Sequence, residues 1–156
     1  MQAHLELYRT RSKEEIETEL RELASKISRL KRSKDLLRAI KWWRRGYFED
    51  DGVDKFLDYY IVFEMLASIA GYKGKYKKEE WASKFAKDYS ITYKIEDVNL
   101  ARIRNDILHD PGLEKDKAEK LAMLHADRFG IELLNAIKKM IEQGFRPSTK
   151  HIQIQN

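Results

Sequence analysis

The segment "RIRNDILHDPG", Arg102 to Gly112, gathers the side chains of this sequence best suited to chemistry: two arginines, an asparagine, two aspartates and a histidine among apolar residues. Histidine exchanges a proton near neutral pH, and arginine presents a planar fork of donors to an anionic oxygen. At about 100° per helical residue, Arg102, Asn105, Asp106 and His109 share one face, being three, four and seven apart. Leu100, Ile103, Ile107 and Leu108 are expected on the opposite, apolar face. Arg104 falls in the middle of that side, so the helix must bury it or turn it toward a neighbouring subunit. A buried arginine calls for a carboxylate. Glu64, set among Ile61, Val62, Phe63, Met65 and Leu66, is the candidate, and a Glu64 to Arg104 contact inside the fold is the expectation. Either the polar face is a solvated surface or it is an active site.

The elements that would position these residues are helical. From Ser12, the residues Ile16, Leu20, Leu23, Ile27 and Leu30 alternate steps of four and three, which predicts one helix with a single apolar seam. That seam is too short for a free coiled coil and is expected to pack within the chain. A second helix carries Leu36, Leu37, Ile40 and Trp43 and fades near Gly46. "EDDG" supplies capping chemistry for a third, with Val53, Phe56, Leu57, Tyr60, Phe63 and Ala67 on its stripe and a stop at Gly71. "GYKGKYKK" reads as a basic loop, without the longer glycine spacing of a phosphate loop. A shorter helix is expected over 78–87. "SITYKIE" alternates like a strand, but as the only such segment it reads as an extended connection. The fifth helix should begin around Glu96 and end by Pro111, placing His109 in its last turn. The final helix runs from near Leu113 to about Gln143, with Leu121, Leu124, Leu134, Ile137 and Ile141 on its face. Gly130 falls on the same stripe, where the missing side chain admits a close neighbour. Residues 144–156 read as a tail. The expectation is an all-α bundle of about five to six helices in a single domain, with a core over 12–143.

Composition sets the outer limits. A chain of 156 residues can bury a core without staples, and zero cysteines exclude disulfides, thiolate metal sites and cysteine nucleophiles. The opening residues lack the order of a signal peptide, and the longest apolar run is too short to span a bilayer and contains Glu64; a cytoplasmic protein with no membrane contact is expected. Heavy Lys and Glu use without cysteine is a composition that hyperthermophiles favour. A net charge of +5 favours an anionic partner, although 26 acidic residues are interleaved with the basic ones. "KWWRRGYF", Lys41 to Phe48, mixes cations and rings as single-stranded nucleic-acid grooves do, with Lys41 and Arg45 as the contacts. The competing reading puts Trp43 in the core, Trp42 partly over it, and Arg38, Lys41 and Arg45 in solvent. His4, His125 and His151 are scattered, and His125 with Asp127 lacks a convincing ligand set, so neither metal nor cofactor is expected.

The spacing of "RIRNDILHDPG" resembles the signature of the HEPN superfamily (higher eukaryotes and prokaryotes nucleotide-binding), in which an arginine followed by a polar residue, commonly asparagine, is separated from a histidine by four to six intervening positions. Arg104, Asn105 and His109 match the shorter version, and Arg102 with His109 the longer. "FLDYYIVFEMLAS" is similar to the helix of such proteins that carries a glutamate, here Glu64, in an apolar run. The resemblance covers roughly residues 54–141. It implies a helical bundle that forms a homodimer with the two motifs facing across a cleft, and a metal-independent endoribonuclease, often of toxin–antitoxin or other defence systems. In that reading His109 is the acid or base, Arg104 stabilises the phosphorane, Asn105 orients, and Glu64 gives structural support. Arg102, as reserve phosphate contact, and Asp106 lie on the substrate side, unless Asp106 and Asp110 only hold the arginines as surface pairs. RNA and a possible antitoxin are then the partners. Pro111 stands where such toxins carry a tyrosine that is nucleotidylated, which argues against that control. The alternative is a non-catalytic module that binds nucleotide, RNA or a protein.

Overall fold

In the computed structural model, which describes residues 12–77, 80–109 and 113–144, seven helical segments and one hairpin of two-residue strands account for most of the described chain. Helix α1 spans Lys13–Ile27, α2 Ser33–Phe48, α3 Gly52–Ile69, α4 Tyr72–Lys75, α5 Glu80–Asp88, α6 Leu100–His109 and α7 Leu113–Glu142. The fold is therefore an all-α bundle. It has one segment more than expected, because the basic loop closes a single helical turn, α4. Residues 1–11 with His4, residues 78 and 79, Asp110, Pro111 and Gly112, and the tail beyond Gly144 with His151 lie outside the described residues.

Local chemistry sets the helix ends. The Ser12 hydroxyl accepts the Glu15 amide at 3.1 Å, and Asp51 Oδ1 accepts the amides of Val53 and Asp54 at 2.8 and 3.0 Å. Each carboxylate or hydroxyl satisfies a donor that has no partner inside its own helix. Gly71, at φ 87°, then turns the chain out of α3. Arg32 precedes α2 in the left-handed region at φ 61°, and its guanidinium donates to Asp35 and to the Ile69 carbonyl at the end of α3.

Helix α3 is the centre of the bundle, packed against α2 on one side and α7 on another. It is apolar nearly all round, with Phe56, Tyr59, Tyr60, Val62, Phe63, Leu66 and Ala67 buried. Phe63 contacts Phe85, Phe129, Trp81 and Tyr93 with ring centroids 5.5 to 6.2 Å apart. The α1 stripe is buried as expected at Ile16, Leu20, Leu23 and Ile27, while Leu30 lies past the helix end and is half-buried. Gly46 does not end α2. It sits within the helix, where a Cβ would lie 2.8 Å from the Tyr59 ring. Gly130 on α7 meets the same ring at its hydroxyl end, a Cβ there lying 2.5 Å from it, and its carbonyl accepts the Trp43 indole N–H at 2.7 Å. The two glycines are the slots into which Tyr59 fits, which bears out the close approach expected at Gly130.

Two apolar positions break the expected pattern. Leu124 is 71% exposed, because the buried face of α7 is centred on Ala122, Phe129, Leu133 and Met140, and Leu124 lies about 160° around from Ala122. Leu108, expected on the inner face of α6, is half exposed near the end of the helix, whereas Leu100, Ile103 and Ile107 are buried. No helix among the described residues is long and apolar enough to cross a membrane.

Candidate functional site

The segment before α6 explains where that helix starts. Lys94–Ile95 pairs antiparallel with Val98–Asn99, so the strand-like stretch does find a partner, in its own continuation. Glu96 and Asp97 make the connection at φ 49° and 66°, the two positive values that suit a tight hairpin. Asn99 then caps α6, its Oδ1 accepting the Arg102 amide at 2.8 Å. The helix therefore begins at Leu100 rather than near Glu96, because residues 96–99 are committed to the turn and the cap. Glu132 of α7 anchors the stem, accepting both the amide and the hydroxyl of Thr92 on Oε2 at 2.8 and 3.0 Å. Burial raises the Glu132 carboxyl above its ordinary range, while these two hydrogen bonds act the other way.

On α6 the polar face meets solvent. Arg102 pairs with Asp106 one turn on, at 3.6 Å, and Asn105 and His109 are exposed. Arg104 is half-buried. Its Nη1 donates to Asn105 Oδ1 at 3.0 Å, and its guanidinium lies over the Tyr60 ring, 5.7 Å from the centroid. The expected ion pair between Glu64 and Arg104 is not formed. Glu64 keeps about a third of its side chain in solvent and pairs instead with Lys73 at 3.4 Å, so the carboxylate is not the isolated buried charge its apolar neighbours suggest. Tyr60 feels both charges. Its hydroxyl is pushed well above the usual phenol value, first by burial and then by the Glu64 charge, with Arg104 opposing. The ring of Tyr60 thus does for Arg104 what a carboxylate was expected to do. It lies one α3 turn before Glu64, which is the signal in the sequence that could have found it.

Within one chain Arg104 and His109 do not converge. Five residues apart, they are separated by about 7.5 Å along the axis and about 140° around it. Arg102 and His109, seven apart, share a side of the helix but stand about 10.5 Å apart along it.

The "KWWRRGYF" residues are largely taken up by packing. Trp43 is fully buried, Arg45 lies over the Trp42 ring at 4.9 Å and within 3.9 Å of Asp58, and Arg44 binds Glu17 of α1 at 2.5 Å. Burial raises the Asp58 carboxyl, with Arg45 opposing. Lys41 is exposed.

His125, one of the scattered histidines, is 1% exposed and stacked on Phe129, and neither ring nitrogen finds a hydrogen-bond partner among the described residues. Burial, helped by the Arg128 charge, lowers its pKa to about 4. Asp127, two residues on, pairs with Lys55 at 3.6 Å. No group of three metal-ligating side chains stands together among the described residues. Compared with family models, curated proteins and solved structures, the chain matches none.

Proposed function

We propose that this protein is a homodimeric, metal-independent endoribonuclease of the HEPN type, in which Arg104, Asn105 and His109 of two copies meet across a shared cleft. The observation that carries the reading is the end of α6. Asn105, His109 and the apolar Leu108 are all exposed there beside a held Arg104, a combination of unshielded leucine and chemical groups that suits a surface completed by another molecule. The 140° between Arg104 and His109 favours two copies over one, because a partner's helix can supply the cation that this chain's histidine lacks. His109 then exchanges a proton with the ribose 2′-hydroxyl or the leaving oxygen, and Arg104, its direction fixed by Tyr60 and Asn105, neutralises the charge that gathers on phosphorus. Arg102 and Asp106 flank the strand, and Glu64 steadies Tyr60. Toxin–antitoxin or defence systems are the proposed setting, with the cytoplasm as compartment.

The test is cleavage of mixed-sequence single-stranded RNA in excess EDTA by the parent chain, His109→Ala and Arg104→Ala, with oligomeric state followed by light scattering. Both variants should remain dimeric and lose at least about 100-fold in rate. Cleavage that survives both changes, or a chain that stays monomeric yet cleaves, overturns the proposal.

A further inference from the structure

The basic stretch after α3 has no part in the site just described, and its geometry is specific. From Tyr72 to Asp88 the described residues include Lys73, Lys75, Lys77, Lys84 and Lys87 against only Glu80 and Asp88. Asp88 is already occupied, accepting the Tyr72 hydroxyl at 2.6 Å and pairing with Lys84 at 3.4 Å. Lys75 and Lys77 form no ion pair among the described residues. The cations are interleaved with rings. Lys73 Nζ lies 5.0 Å from the Trp81 ring centroid and Lys75 Nζ 5.5 Å from that of Tyr76. Tyr76 stacks on Tyr72 at 5.7 Å and 26°, and Trp81 rests on Phe63 of the core at 5.9 Å. The rings are thus held from below by the bundle, with lysines at their outer faces.

We infer that this α4–α5 surface is a second contact for single-stranded RNA, in which Lys73, Lys75 and Lys77 meet phosphates while bases stack on Tyr76 and Trp81. The inference rests on the RNA reading of α6 and extends it. Flat rings accept any base once the long lysine side chains over them swing aside, and the displaced ammonium groups then accept the linking phosphates, a pairing that an ordinary solvated lysine face does not require. Because the rings are fixed before the strand arrives, little ordering entropy opposes binding. The surface is also next to the α6 site. Lys73 is paired with Glu64, one α3 turn from the Tyr60 ring that Arg104 covers, and a hollow of about 360 Å³ whose lining includes Arg32, Asp35, Glu64, Ser68 and Lys73 opens at that ion pair. A strand cut at α6 has this surface to hold the nucleotides on one side of the scissile bond.

The experiment uses the full chain carrying His109→Ala to prevent cleavage, and follows binding of a labelled mixed-sequence single-stranded RNA by anisotropy across salt concentrations, with base-free polyphosphate as a second probe. Tyr76→Ala and the pair Lys75→Gln with Lys77→Gln are added, since none of the three side chains belongs to the buried core, and melting checks their folding. Tyr76→Ala should weaken RNA binding about fivefold or more and leave polyphosphate binding unchanged. The lysine pair should weaken both probes and flatten the logarithmic salt slope for RNA by about 0.7 per lysine. Unchanged RNA affinity in both variants, or equal loss of polyphosphate binding in Tyr76→Ala, overturns the inference. If the parent chain cleaves RNA while these variants bind it normally, the α6 site stands and this surface falls. If binding depends on the patch and no RNA is cleaved, this surface stands and the α6 site falls. Absence of both binding and cleavage removes both.

Discussion

The α6–α7 pair carries two histidines in opposite circumstances. His109 ends α6 in solvent, beside side chains whose partners are all local or one ring away. His125 lies inside α7, stacked on Phe129, with neither nitrogen hydrogen-bonded among the described residues. A buried polar group without a partner costs about 1–3 kcal/mol, so His125 weakens the fold from within the buried face of α7. Along α6 the reverse holds: little packing depends on Asn105 or His109, so these positions are open to selection for chemistry. Residue type alone therefore does not locate a site. What separates the two histidines is whether water, and hence a substrate, reaches the ring.

Acid should expose that difference most strongly. The folded state holds His125 near a pKa of about 4, whereas an unfolded chain holds it near about 6.5. Above about pH 6.5 both states are neutral at this ring. As the pH falls from there the unfolded state takes up a proton that the folded state refuses, so stability declines and the loss is complete below about pH 4, at about 3 kcal/mol. Glu132 and Asp58, both raised by burial, work in the opposite direction, since the folded state protonates them first. His125→Leu keeps an apolar group against Phe129 and removes the titration. Urea unfolding at pH 7 and pH 4.5 should show a much smaller acid loss in His125→Leu than in the parent. An equal loss in the two would mean that the ring is not buried neutral.

Gly130→Ala comes next. Alanine in an exposed helix interior gains about 1 kcal/mol over glycine, but here its Cβ would stand 2.5 Å from the Tyr59 ring, and overpacking of this kind costs about 1–3 kcal/mol. The expected sign is therefore destabilisation, read as a lower melting temperature, and Tyr59→Leu in the same chain should restore part of it. A rise on Gly130→Ala alone would show that the Tyr59 slot has slack. The sequence made this close approach legible because glycine on a buried stripe has few other reasons to be there. It did not identify Tyr59 as the neighbour, since α3 is apolar on almost every side and periodicity cannot choose among its faces. The same uniformity hid Tyr60 as the partner of Arg104. Helix existence was readable from spacing nearly throughout, and most buried stripes with it. Leu124 and Leu108 escaped, one misplaced by its angle around α7 and the other lying near a helix end.

The start of α6 gives a smaller, local test. Asn99→Ala removes the side chain that accepts the Arg102 amide and should cost about 1 kcal/mol. The hairpin turn at Glu96 and Asp97 would be untouched, so the loss should appear as fraying at Arg102 in amide exchange while Thr92, whose amide donates to Glu132, stays protected. Uniform loss of protection across both would mean that hairpin and helix are set as one unit. Sequence periodicity placed this boundary too early for a physical reason: Asp97 and Val98 fit a helix pattern as well as they fit a turn, and only the pairing of Ile95 with Val98 decides between them.

Arg104→Ala should have the smallest effect on stability and the largest separation between stability and function. Its contact with the Tyr60 ring is worth about 0.5–1 kcal/mol at a partly exposed position, and its hydrogen bond to Asn105 joins two groups that water can serve instead. If Arg104 only packs, that loss is the whole effect, and any RNA cleavage should fall no further than the fraction unfolded. If it stabilises charge on phosphorus, cleavage should drop by at least about 100-fold while the melting temperature moves by a few degrees at most. Tyr60→Phe gives the control within the same contact, because the ring that holds the guanidinium is retained and only the hydroxyl that feels both Glu64 and Arg104 is lost. Cleavage kept in Tyr60→Phe and lost in Arg104→Ala would assign the effect to the cation, and so place α6 on the functional side of the contrast with His125.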